Sequence, residues 1–149
     1  IKLNVMSQEH IYQVNLKWKE HRIGELSSPV LDTTIECATP PEFSNGVPNI
    51  WSPEHFYAAA ISSCFMTTFL AIAENSRLSF KDFSCKTVCK LEIIERKYLI
   101  TQAIIEPVVT LEHPETDTEK ALKVIVKTKD NCLVTNSMKT EIILNPQIL

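Results

Sequence analysis

The chain has 149 residues, 44% of them apolar, enough for a sizeable hydrophobic core, and one domain over 1–149 is the simplest expectation. With 15 Lys and Arg against 18 Asp and Glu, the formal net charge is −3, which excludes the basic footprint of a nucleic-acid binder. The first twenty residues interleave polar, charged and apolar side chains, unlike a secretory leader, and predict a cytoplasmic protein.

Ile11 to Trp18 alternates polar and apolar positions with the two-residue period of a half-buried strand. Arg22-Ile23-Gly24 reads as a turn, with Gly24 free to take a positive φ. A second strand runs to about Leu26 and ends at Ser28-Pro29, and a third, Thr33 to Ala38, stops at Thr39-Pro40-Pro41. Pro40 to Pro53, with four prolines and Gly46, is a loop. Ser52-Pro53-Glu54-His55 is a helix start: Ser52 at the cap, Pro53 at the first position and Glu54 in the first turn.

That helix is expected to reach about Asn75. Its stretch from Phe56 to Ala73 approaches membrane-spanning length. Ser62, Ser63, Thr67 and Thr68, with no flanking Lys or Arg cluster, fit a core helix better, so no membrane partner is expected. Apolar residues cover most of its circumference, which predicts burial on nearly all sides. Phe83 to Ile94 and Lys97 to Leu111 read as strands joined near Glu95-Arg96, with Pro107 marking an edge or a bulge. Pro114 to Thr128 has helical spacing, Asn131 to Lys139 forms a second short helix, and Thr140 to Leu149 a final strand. The order is that of an α+β fold.

Five cysteines, at 37, 64, 85, 89 and 132, show no framework spacing. Cys85 and Cys89 share a strand face but lie roughly 13 Å apart along it, too far for one disulfide or one zinc. With Cys37, they are assigned to packing. His10, His21, His55 and His113 form no metal-ligand pattern, and neither a nucleophile elbow nor a glycine-rich phosphate loop occurs, so no metal or organic cofactor is expected. Cys64, inside the apolar helix, has two readings: a small hydrophobe, or a nucleophile whose thiolate needs a cation or helix dipole beside it. Cys132 sits near a short helix start whose free amides would lower its pKa, or else is a structural thiol. Arg22 could supply the cation for Cys64, and otherwise is a solvated surface charge. Glu54 is about 15 Å from Cys64 along one straight helix, so it acts through an intervening Arg, a helix break or a second subunit, if it does more than favour the helix start.

Several of these segments together resemble one family. Ser52-Pro53-Glu54-His55-Phe56-Tyr57-Ala58-Ala59-Ala60, with Ser63-Cys64-Phe65, is similar to the helix of the OsmC/Ohr proteins, the osmotically induced and organic hydroperoxide resistance group. Asn131-Cys132-Leu133-Val134-Thr135-Asn136-Ser137 resembles their second cysteine motif, and Arg22-Ile23-Gly24 their N-terminal Arg segment. The resemblance implies an intertwined α+β homodimer with a long central helix packed against antiparallel sheets. It implies a peroxidatic Cys64, a resolving Cys132, and a network of Arg22 and Glu54 that keeps Cys64 ionised. The substrate class is organic hydroperoxides, and the reductant an external dithiol such as a lipoylated protein. Trp51, Phe56, Phe65, Met66 and Phe69 offer an apolar wall for an alkyl peroxide, or else are core. Leu133 stands where the second motif commonly has Pro, and Ser62-Ser63 replaces a pair of Ala or Gly residues. Trp51 and the Pro40–Pro48 loop look closer to a less characterised OsmC-like branch than to typical Ohr. An OsmC-fold small-ligand or acyl-binding protein, and a structural stress-associated dimer, are the competing expectations.

Overall fold

The structure is a computed structural model that describes residues 9–149; residues 1–8, part of the charged N-terminal stretch, lie outside the described residues. The chain divides into two units, one ending at Pro53 and one spanning Glu54–Leu149.

The first unit is an antiparallel sheet in the order β1 (Asn15–Glu20), β2 (Ile23–Ser27), β3 (Ile35–Ala38). Strand β1 starts later than the alternation suggests and is exposed on both faces, because the described residues of this unit hold no helix to cover a sheet. The turn falls on His21-Arg22, and His21, not Gly24, takes the positive φ of 46°. Gly24 lies within β2 opposite Trp18 and is needed for space: a Cβ there would stand 3.1 Å from Leu16 Cδ1 and 3.3 Å from the Lys17 carbonyl. The following loop is ordered by Phe43 N donating to Pro40 O at 3.1 Å and Gly46 N to Phe43 O at 3.0 Å. A Cβ on Gly46 would reach within 2.0 Å of the Pro40 carbonyl oxygen, an approach only glycine permits.

The second unit is built on α1 (Pro53–Asn75), whose bounds match the expected start and stop. It ends in a Schellman motif, with Leu78 N donating to Ala73 O at 2.9 Å, Arg77 N to Glu74 O at 3.1 Å, and Arg77 at φ 53°. Strands β4 (Phe80–Ile94) and β5 (Lys97–Leu111) form a long antiparallel hairpin closed by Glu95-Arg96, both at positive φ, the turn whose twist matches the strands. Helices α2 (Pro114–Asn131) and α3 (Leu133–Asn136) then return the chain, so that β6 (Glu141–Leu144) and β7 (Gln147–Ile148) pair parallel to β5. One final strand was expected, and two short ones form.

Pro107 corrects the expectation of an edge. It is fully buried in β5, which is paired on both sides. The proline falls where the parallel neighbour changes, β6 pairing with 102–105 and β7 with 108–109. A residue without an N–H is tolerated at that interruption.

Burial of α1 is also one-sided. Ile61, Phe65, Phe69 and Ala73, spaced by four, enter a core with Ile105, Val109, Leu111, Ala121 and Ile125, while Met66 and Leu70 stay 40% and 41% exposed. Phe69 stacks on Phe83 with centroids 4.5 Å apart and meets Phe80 edge-on at 5.3 Å; Phe65 stacks on Phe83 at 6.5 Å. By length and composition α1 could cross a membrane, yet it presents this four-residue stripe to the core of its own unit.

Candidate active site

The second unit brings Cys64 and Cys132 together. Cys64 is half-buried on α1, and Cys132 is fully buried at the junction of α2 and α3, where it caps α3. The kink arises because Asn131 ends α2 and Cys132 takes an extended backbone (φ −71°, ψ 108°) before the next turn begins. Thr135 steadies the junction by donating its hydroxyl to the Cys132 carbonyl at 3.2 Å, and Asn136 Nδ2 donates to Asp130 O at 3.0 Å.

The two thiols are pushed in opposite directions. Burial raises the Cys64 pKa, but hydrogen bonds from the Val134 amide, the Cys132 thiol, the Thr68 hydroxyl and the Leu133 amide outweigh it and leave the thiol below its ordinary value. Burial raises Cys132, and a negative Cys64 beside it, accepting its S–H, raises it further against the opposing Thr135 bonds. Of the α3 amides expected to act on Cys132, that of Thr135 does, whereas those of Leu133 and Val134 point at Cys64. Of the two, Cys64 is the thiol favoured to ionise and Cys132 the one that donates to it.

Four hydroxyls lie near Cys64 on α1. Ser63 Oγ donates to Ala59 O at 2.7 Å, Thr67 Oγ1 to Cys64 O at 3.1 Å, and Ser62 Oγ meets Thr87 Oγ1 at 2.6 Å. Thr68 Oγ1 lies 3.9 Å from Cys64 Sγ. Thr68 is not among the sequence-predicted site residues; its spacing of four from Cys64, which puts both on one helix face, is the signal that marks it.

Other predicted residues fall elsewhere. Phe65 and Phe69 are fully buried against Phe83 and Phe80, so they belong to the core, not to a wall facing a substrate. Met66 is exposed and Phe56 half-buried on α1; Trp51 is exposed in the first unit, bridged to Cys37 through Ala38 N donating to Trp51 O at 2.8 Å. Arg22 is exposed in the β1–β2 turn, and its guanidinium has no ion pair among the described residues. Glu54 stands in the first turn of α1 with Oε2 buried and no hydrogen-bond partner among the described residues. Since α1 is unbroken, no helix break carries Glu54 toward Cys64. Cys85 and Cys89 pack half-buried against the core as expected, and burial raises both pKa values. Among the described residues, no group of three or more His, Cys, Asp or Glu is placed to hold a metal ion.

Comparison with known proteins fits this geometry. The family model described as OsmC-like protein matches residues 46–146. The uncharacterized protein YmaD of Bacillus subtilis is 22% identical over 138 residues, 90% of this chain and 89% of its own. An OsmC-like protein of unknown function from Vibrio cholerae superposes with a TM-score of 0.83 at 21% identity, covering 93% of this chain and 99% of that one. An organic hydroperoxide resistance protein from Elizabethkingia anophelis does so at 0.76 and 16% identity, covering 96% and 98%. The fold is thus the α+β OsmC fold, and this chain belongs to the OsmC-like protein family, which includes organic hydroperoxide resistance proteins.

Proposed function

We propose that this protein is a cysteine-based peroxidase that reduces organic hydroperoxides to alcohols. The observation that carries the reading is the asymmetric thiol pair: Cys64 lowered by two backbone amides and by the thiol of Cys132, and Cys132 raised beside it. The Cys64 thiolate attacks the hydroxyl oxygen of the peroxide, the O–O bond breaks, and Cys64 becomes a sulfenic acid while the alkoxide takes a proton and leaves as alcohol. The Cys132 sulfur then attacks the sulfenic sulfur, expelling water and forming the Cys64–Cys132 disulfide. An external dithiol, such as the lipoyl group of a lipoylated protein, is oxidised as it returns both cysteines to thiols.

Arg22 and Glu54 enter as the network that supports the thiolate and the charge developing on the leaving oxygen. What supports their pairing is that, among the described residues, the guanidinium has no ion pair and the buried carboxylate oxygen no hydrogen-bond partner. Phe56, Met66 and Trp51 remain as the apolar wall, since none belongs to the fully buried core. A homodimer fits the apolar Met66 and Leu70 left exposed on α1 and the exposed Leu16 and Trp18 of β1.

Rapid mixing with cumene hydroperoxide tests the reading. Fast loss of about two thiols per chain is expected; it should vanish in Cys64→Ser, and in Cys132→Ser it should stop at a sulfenic acid that dimedone captures. Slow oxidation, equal in wild type and Cys64→Ser, would overturn it.

A further inference from the structure

Four hydroxyl side chains lie within four residues of Cys64 on α1, and three have a use that does not involve the sulfur. Ser63 is bonded to the carbonyls of Ala59 and Ala60, at 2.7 and 3.3 Å. Thr67 is bonded to the carbonyl of Cys64 at 3.1 Å, a local back-bond of the kind helical Ser and Thr commonly make. Ser62 crosses to Thr87 on β4 at 2.6 Å. Thr68 differs: the hydrogen bond of its hydroxyl is to Cys64 Sγ, at 3.9 Å, from one turn further along the helix. It is half-buried, so water competes less for this bond than at the exposed Ser63 and Thr67.

We propose that the Thr68 hydroxyl is a specific stabiliser of the Cys64 thiolate, donating to the sulfur once its proton has left. The geometry suits that role. The amides of Leu133 and Val134 approach the sulfur from α3, whereas Thr68 reaches it from α1 itself. Cys64 thereby carries a donor on its own helix, independent of the α2–α3 junction. A thiolate is acceptor-only, so each further donor favours it over the thiol. The inference deepens the peroxidase reading but does not depend on turnover, because ionisation of Cys64 is measurable without peroxide.

The test is the pH profile of Cys64 alkylation by iodoacetamide, read by mass spectrometry on the peptide that contains Cys64, in wild type, Thr68→Val and Thr68→Ser. Valine keeps the shape and removes the donor; serine keeps the donor and removes the methyl group. Thr68→Val should move the midpoint up by about half a pH unit, roughly threefold less thiolate below the midpoint, as expected for loss of one long hydrogen bond to an ion. Thr68→Ser should restore the wild-type profile. An unchanged midpoint in Thr68→Val, or an equal rise in both variants, would overturn the proposal. A wild-type protein that alkylates with a lowered midpoint yet ignores cumene hydroperoxide would sink the peroxidase reading and leave the Thr68 result standing.

Discussion

Two pairs of cysteines in the same unit have different surroundings. Cys85 and Cys89 lie on β4, half-buried against the core; burial dominates both, with Thr87 and Ser62 bonding only Cys85. Cys64 is half-buried too, but two amides, a hydroxyl and a second thiol converge on its sulfur. Burial is common to both places and lifts a thiol pKa in each; the direction reverses only at Cys64, where the converging donors outweigh it.

The contrast can be broken in graded ways. Cys64→Ser should lower the rate of peroxide consumption by about a thousandfold or more, as removal of a nucleophile does, whereas Cys85→Ser and Cys89→Ser should leave it within about twofold; a coupled peroxide-reduction assay decides. Phe69→Ala removes a ring that packs on Phe80 and Phe83 under the whole unit. It should cost about 3–5 kcal/mol in denaturant unfolding and should weaken both thiol sites together.

The pH dependence separates the pairs without mutation. The thiolate is the reactive form, so each rate falls as pH drops through that thiol's own pKa. Lowered by its hydrogen bonds, Cys64 should keep reacting with iodoacetamide below the midpoint of an ordinary free cysteine. Cys85, Cys89 and Cys132, all raised by burial, should reach half-maximal alkylation only above it. The smallest effect is expected from Leu133→Pro. Leu133 is the first residue of α3, a position where proline fits, and the change deletes one of the two amides that reach Cys64. The Cys64 midpoint should rise by a few tenths of a pH unit, about the worth of a weak hydrogen bond; no rise would mean that Val134 alone supplies the backbone donor.

Much of the architecture was legible where its signals are local. Ser52-Pro53-Glu54 marked the start of α1, and β5 has the bounds its composition suggested, because capping and strand preference act within a few residues. Legibility failed where a distant partner decides. Gly24 looks like a turn residue, but pairing with β1 puts the turn on His21-Arg22 and uses the glycine for clearance under Leu16. Pro107 looks like an edge, but the gap between β6 and β7 admits it to a central strand. Phe65 and Met66 are adjacent and both apolar, yet only the sheet beneath α1 makes the first core and leaves the second exposed.

The sequence by itself determined that Cys64 sits on a long helix and that Cys132 precedes a short one, since helix starts and periodicity are encoded by neighbours in the chain. Only the tertiary structure decided which α3 amides serve which thiol. Cys64 and Cys132 are far apart in sequence, and the direction of each pKa shift depends on which donors the packing of α1 against the α2–α3 junction brings to each sulfur.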